Sequence, residues 1–435
     1  MANSKVFCNV PWHKIFIRST GHYASCCVMK EDLGTATVEQ MSPDEWFHSP
    51  EADQIRLSML GQEPVEACSK CYYNEQIGYE SSRIKDNYKS FVFPGEQFDR
   101  SYSQSPWHAE FESSRANQGA TALPPRDYML SLGNECNLAC KMCFPIWSSR
   151  IADRYQSWNL LTDQLDVRNN WTTNEPAWQA LLQSLADNTS LVRLTLLGGE
   201  TTMNKKFYEL VDFLIEHDRT NVVLHFVTNA TIYRQDLIDK LRQFQGLYIE
   251  FSLESVEPNN HYIRQGSDTA QVISNILKIQ QQLQHNANFT ISSAPQALSI
   301  NTYDKLIRWA LEHRIPIQGH PVTRPSYFNI TVLPLQLRRT LIPRFLDLQD
   351  ELENLVAQET HTIAFGSDPN RIGRVLLNET KSMIKLLQQP EPDNAQQLQQ
   401  EMIDWMMRWD QEFGLDARDY YPEYQHWLNE MNYHV

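Results

Sequence analysis

Seven of the eight cysteines in this 435-residue chain fall into two spaced groups, and that spacing constrains the fold more than any other feature. Cys136, Cys140 and Cys143 lie in the run C-N-L-A-C-K-M-C, while Cys8, Cys26, Cys68 and Cys71 form a C-x17-C followed by a later C-x2-C. Cys27 is left over. Close cysteine pairs in a large chain favour metal or redox chemistry over structural disulfides. Three thiolates bind three irons of a [4Fe–4S] cube and leave the fourth open to a substrate or cofactor, whereas four can saturate a cluster. Each group also permits zinc, as a knuckle in the first case and a four-cysteine site in the second.

The rest of the composition narrows the setting. Hydrophobic residues make up 41% and charged residues 21%, a normal globular mixture. The net charge of −15 lacks the basic footprint that nucleic acids and anionic membranes need, so neither is expected as a partner. No apolar run reaches the roughly 20 residues that span a bilayer, and M-A-N-S-K-V-F-C-N-V-P-W lacks a secretory pattern. A cytoplasmic protein is expected.

Three regions follow from the pattern: 1–115, 116–335 and 336–435. In the first, W-H-K-I-F-I-R alternates and then turns at Gly21, a hairpin that delivers Cys26. Glu96 to Pro125 is rich in Ser, Gln, Pro and Gly and reads as a linker. Strands are expected at Tyr128–Leu132, Leu191–Leu197, Val222–Val227, Tyr248–Leu253, Phe289–Ser292 and Ile315–Val322. Helical runs lie between them, such as Lys206–Glu216, Ile232–Arg242 and Gln271–Gln284. Six such repeats imply an α/β fold, a partial (β/α)6 TIM-type barrel whose chemistry gathers at the strands' C-terminal ends. The last region reads as helical. Leu337, Leu341, Phe345, Leu348, Leu352 and Leu355 lie on one helical face, a break spans Gln388–Gln400, and a core stripe of Met402, Trp405, Trp409 and Phe413 follows.

The run C-x3-C-x2-C directly after an expected strand, with Met142 before the last cysteine, resembles the signature of the radical S-adenosylmethionine superfamily. Further motifs follow in the family's order. L-L-G-G-E presents Gly198, Gly199 and Glu200 in a G-G-E element; T-N-A presents Thr228 and Asn229, with Ala230 where the family has glycine. S-L-E-S-V-E-P-N-N-H-Y-I-R then presents Ser252, Glu254 and Arg264, with Glu254 where aspartate is commoner and one arginine of the usual pair. The resemblance implies that Cys136, Cys140 and Cys143 hold a [4Fe–4S] cluster whose open iron chelates S-adenosyl-L-methionine. It implies that Met142 and the G-G-E and T-N-A residues line the cofactor, and that Ser252 and Glu254 face its ribose or methionyl group. Arg264 would pair with the methionyl carboxylate, a task suited to a planar, bidentate guanidinium.

The N-terminal group, with Gly21 five residues before Cys26 and Glu75, Gly78 and Arg83 after the C-S-K-C pair, resembles the twitch domain, a shortened SPASM domain holding one auxiliary [4Fe–4S] cluster. Such a domain usually follows the barrel; here it precedes it. The Gly-x4-Cys spacing favours Cys26 over Cys27 as ligand, and Cys27 is either a hydrogen-atom donor or a small buried residue.

The resemblance implies an enzyme, an oxidoreductase or maturase, that cleaves S-adenosylmethionine reductively to a 5′-deoxyadenosyl radical. That radical would take hydrogen from an unactivated C–H of a peptide or small molecule, with the auxiliary cluster accepting an electron. Net oxidation, dehydrogenation or cross-link formation would result. A one-electron reductant such as flavodoxin or ferredoxin is an implied partner. The rival outcomes are redox-neutral epimerisation with a thiol donor, and a metal-stabilised binding protein without catalysis. Arg371, Arg374, Tyr420 and Tyr421 are expected either to cap the barrel mouth or to serve as scaffold.

Overall fold

The alternating apolar run and the glycine turn near the N-terminus form the expected hairpin in the computed structural model, which describes residues 6–30, 36–76, 81–88, 108–161, 170–358 and 370–435. Strand β1 (Lys14–Ile17) pairs antiparallel with β2 (Tyr23–Ala24), Phe16 opposite Ala24. The turn closes with the Gly21 amide donating to the Arg18 carbonyl at 2.9 Å. Eight further strands follow: β3 (Asp127–Ser131), β4 (Ala139–Cys140), β5 (Arg193–Leu197), β6 (Val223–Thr228), β7 (Leu247–Ser252), β8 (Arg264–Gln265), β9 (Ala287–Ser293) and β10 (Ile317–Gly319).

Six of these, β3, β5, β6, β7, β9 and β10, are each followed by a helix before the next of the six begins. The helices are Glu175–Asp187, Lys205–Glu216, Gln235–Leu241, Thr269–Leu283, Tyr303–Glu312 and Leu335–Gln358. The class is α/β, strands of a mostly parallel sheet alternating with helices as the runs predict, with a helical C-terminal region. The last expected strand, Ile315–Val322, shortens to Ile317–Gly319.

Two compact units divide the chain. The first comprises the described residues within Met1–Glu135, Asn159–Phe226 and Asp239–Leu247. Its sheet runs β2-β1-β3-β5-β6. β1 lies parallel to β3, Lys14 opposite Asp127, and their side chains form an ion pair at 3.3 Å. The N-terminal hairpin is thus an edge of the strand layer that β3 begins, a pairing that local sequence pattern does not encode. Its core gathers Phe7, Trp12 and Phe111, with ring centroids 5.0–5.8 Å apart. Phe111 belongs to a helix, His108–Ala116. That helix corrects the linker reading of Glu96–Pro125: two buried rings recruit H-A-E-F-E-S-S-R-A into regular structure despite its polar composition. Residues 96–107 and Gly78 lie outside the described residues.

The second unit comprises Cys136–Trp158, Val227–Ile238 and the described residues within Tyr248–Val435. Its main strands follow the order β7-β9-β10, with Ile317 of β10 opposite Ile291 of β9 in parallel register. β4 and β8 form a separate antiparallel ladder, Cys140 opposite Arg264. Long C-terminal helices span Leu335–Gln358, Asn370–Gln388 and Ala395–Phe413. The break expected at Gln388–Gln400 is confined to Gln389–Asn394, because A-Q-Q-L-Q-Q places Leu398 on the buried face and extends the third helix forward.

Candidate functional site

The loop bearing Cys136, Cys140 and Cys143 is tied down by its own backbone. The Cys143 amide donates to the Cys140 carbonyl at 3.0 Å and the Lys141 amide to the Ile263 carbonyl at 2.9 Å. Ser148 Oγ donates to the Leu138 carbonyl at 3.1 Å, and the Cys136 amide donates to Ser149 Oγ at 3.2 Å. Cys140 is buried; Cys136 and Cys143 are half-buried. The three thiols interact electrostatically with one another: burial pushes the Cys140 thiol up, Arg264 offsets part of this, and Cys136 and Cys143 add to it. Cys143 is pushed up to about 12 by burial and then by Cys136.

The four N-terminal cysteines gather in the first unit. Cys8 interacts with Cys26 and Cys68, Cys26 with Cys68, and Cys68 with Cys71. Hydrogen-bonding neighbours ease each thiol: the Val10 backbone at Cys8, the Val28 backbone at Cys26, the Tyr72 side chain at Cys68 and the Arg83 backbone at Cys71. Burial raises all four thiols, Cys68 to about 11. Cys27 is exposed and interacts with Cys26. Arg83 also braces the site by donating to the Phe7 carbonyl at 2.7 Å and pairing with Glu75.

These donor sets fit iron–sulfur clusters. Both groups are cysteine throughout, three donors in one and four in the other, the ligand type that iron–sulfur clusters take. Backbone and hydroxyl donors aimed at each auxiliary sulfur match the hydrogen-bonded thiolates of such clusters.

The other expected cofactor residues are placed as follows. Gly198 and Gly199 follow β5 with φ of +100° and +50°. A Cβ on Gly199 would lie 2.0 Å from the Glu135 carbonyl oxygen, which also accepts the Glu200 amide at 2.7 Å. This approach requires glycine. Glu200 is 1% exposed and its carboxylate is engaged by the Thr202 amide and hydroxyl at 3.1 and 2.6 Å.

After β6, Asn229 donates to Asn137 Oδ1 at 2.9 Å, and its own Oδ1 accepts from the Thr231 amide and hydroxyl. This clamp braces the loop beside Cys136. Thr228 accepts from the Ala230 amide at 3.1 Å. Ala230 sits at φ +54°, which explains why related T-N-G motifs place glycine there. Met142 and Ser252 are half-buried.

Glu254 and Arg264, assigned by resemblance to different parts of the cofactor, meet each other. Arg264 Nη2 bonds Glu254 Oε1 at 2.6 Å, and Nη1 donates to Cys140 Sγ at 3.7 Å. Burial works against the Arg264 charge, but Glu254 and Cys140 overcome it and hold the guanidinium protonated above its ordinary range.

Several residues escaped sequence reasoning. Tyr72, next to Cys71, has only its position in C-S-K-C-Y-Y as a signal. Lys141, between Cys140 and Cys143, is buried over the rings of Tyr262 at 3.8 Å and Trp409 at 5.0 Å, facing Asp410. Tyr421 packs in the buried core and Tyr420 against Tyr262 at 5.0 Å, while Arg374 is exposed and the Arg371 side chain lies outside the described residues.

Comparisons with known proteins place family models on both cysteine groups. The model of the Radical SAM superfamily matches residues 130–291, and that of the SPASM iron–sulfur cluster-binding domain matches residues 8–72. No curated protein matches the chain. Among solved structures it is similar to Streptococcus suis SuiB bound to precursor peptide SuiA, at 15% identity and a TM-score of 0.37, covering 71% of this chain and 64% of that one. SuiB bound to S-adenosylmethionine is 16% identical with a TM-score of 0.38, over 73% and 66% of the two chains. TYW1 with a lysine–pyruvate adduct bound is 13% identical with a TM-score of 0.31, over 53% and 73%. The chain thus spans just under two thirds of the SuiB chains. Two family models placed on the two cysteine groups show that the chain carries a radical SAM domain and, N-terminal to it, a SPASM/twitch iron–sulfur domain, which use S-adenosylmethionine, a [4Fe–4S] cluster and an auxiliary cluster.

Proposed function

We propose that this protein oxidises an unactivated C–H position of a peptide or small molecule, as an oxidoreductase or maturase of the cytoplasm supplied with electrons by a flavodoxin or ferredoxin. Cys136, Cys140 and Cys143 hold the radical cluster, and Cys8, Cys26, Cys68 and Cys71 hold the auxiliary one. When bound, the first cluster and S-adenosylmethionine supply a carbon radical that removes hydrogen, and the second cluster supplies an acceptor for the electron left behind. The chain's own residues do the holding. The Gly198–Glu200 turn offers backbone to the cofactor's amino group, and the Asn229–Asn137 clamp keeps the cysteine loop in place. Met142, Thr228 and Ser252 border the cofactor in this reading. Residues 1–115 serve as the auxiliary domain, 116–335 as the barrel and 336–435 as its helical support.

The observation that carries the reading is the auxiliary set: Cys8, Cys26 and Cys68 pack on one buried cluster of the first unit, within the match to the iron–sulfur cluster-binding domain. A saturated cluster suits electron transfer better than substrate binding. The test is anaerobic turnover with a strong reductant. 5′-Deoxyadenosine formation without any oxidised product from candidate peptides would remove the oxidative role. Exposed Cys27, beside the auxiliary set, supports a second reading: epimerisation with a thiol hydrogen donor. Deuterium uptake from solvent that disappears in Cys27→Ala would establish it.

A further inference from the structure

We propose that Arg264, held in place by Glu254, tunes the radical cluster through the sulfur of Cys140. The inference rests on Cys140 being a ligand of the first cluster. Four observations carry it. The β4–β8 ladder sets Cys140 opposite Arg264, so backbone pairing brings the two side chains together. Arg264 Nη1 donates to Cys140 Sγ at 3.7 Å. The other arm of the fork, Nη2, is bonded to Glu254 Oε1 at 2.6 Å. Glu254 is fully buried, and its Oε2 accepts from Ser293 Oγ at 2.8 Å and the Ala294 amide at 2.6 Å.

Both carboxylate oxygens of Glu254 are therefore in use, and each terminal nitrogen of Arg264 spends one N–H, on Cys140 and on Glu254. Loss of either charge would leave the other buried without its partner, which is strongly unfavourable. The arrangement delivers a charged N–H donor to the Cys140 sulfur. Hydrogen bonds to cluster sulfurs and nearby positive charge stabilise the reduced state. Arg264 thus makes the cluster easier to reduce, and Glu254 acts as a positioning residue.

The test uses the full chain, reconstituted anaerobically, as wild type, Arg264→Gln, Arg264→Lys and Glu254→Gln. The radical cluster is identified by the EPR spectrum that changes on adding S-adenosylmethionine, and its midpoint is measured by redox titration. Binding of radiolabelled S-adenosylmethionine to the oxidised cluster is measured by equilibrium dialysis. Arg264→Gln is expected to lower the reduced-to-oxidised ratio at fixed potential about tenfold, equivalent to about 59 mV for one electron. In Glu254→Gln the lost brace and the lost buried anion act in opposite directions, so its midpoint should move less than that of Arg264→Gln, with binding of S-adenosylmethionine within about threefold of wild type in both. An unchanged midpoint with binding weakened about tenfold would overturn the proposal and return Arg264 to the cofactor's carboxylate. If Arg264→Gln fails to retain the cluster, Arg264→Lys carries the same comparison, with the same two outcomes. A wild type without a reducible cluster would overturn the underlying functional reading instead, a result separable from any shift among variants.

Discussion

Gly199 shows how a single hydrogen in place of a methyl sets the turn after β5. With φ at +50° and the Glu135 carbonyl where a Cβ would stand, alanine meets both backbone strain and overlap. Gly199→Ala is expected to destabilise the protein by at least about 2 kcal/mol and to weaken S-adenosylmethionine binding, read by urea denaturation and dialysis. A variant with unchanged midpoint and binding would refute this account of the turn. At this scale the sequence was most legible where chemistry is local. The cysteine spacings, the glycine pair and the departure at Ala230 could all be read from neighbours in the chain. The partnership of Glu254 with Arg264 could not, since it depends on a ladder between residues 140 and 264 and on Ser293 from another strand.

Between elements, two buried cations join the C-terminal helices to the rest of the second unit. Lys141 faces Asp410 at 3.8 Å, and neither is exposed. Asp410 also accepts from Tyr262 at 2.9 Å, from the Ala417 amide at 3.2 Å and from Tyr433. Removing one member leaves the other buried without its counter-charge. Lys141→Met should cost about 3 kcal/mol, and Lys141→Met with Asp410→Asn should recover much of it. A double-mutant cycle followed by tryptophan fluorescence checks this, Trp409 lying 5.0 Å from the ammonium. Additive losses would show the pair to be uncoupled.

Arg338 does comparable work at a helix end. It donates to the carbonyls of Leu387 at 3.0 Å and Gln389 at 2.6 Å, where Asn370–Gln388 terminates, and to Leu333 at 2.8 Å. Arg338→Met should cost about 2–3 kcal/mol and speed amide exchange around residues 386–391, because buried carbonyls lose their donor. Unchanged exchange there would contradict the capping role. The Leu and Met/Trp stripes announced these helices, but a buried lysine and arginine look like surface charges in a sequence. Only the packing of distant segments reveals them.

Across the whole molecule, cysteine spacing and β/α alternation together made the family and fold class legible, since both follow from short-range pattern. The parallel pairing of β1 with β3 stayed hidden because it joins segments more than a hundred residues apart. The helix at His108–Ala116 stayed hidden because one ring, Phe111, outweighs a polar composition. The account stands or falls on two separate cysteine sets, each holding its own cluster, with Cys27 outside both. The direct measurement is anaerobic iron and sulfide analysis with EPR on the wild type, on Cys136/Cys140/Cys143→Ala and on Cys27→Ala. The wild type should hold about eight irons, two four-iron clusters. The triple variant should hold about half as many and lose cleavage of S-adenosylmethionine, and Cys27→Ala should match the wild type in iron. Zinc in place of the auxiliary iron, or a triple variant that loses all its iron, would contradict the account.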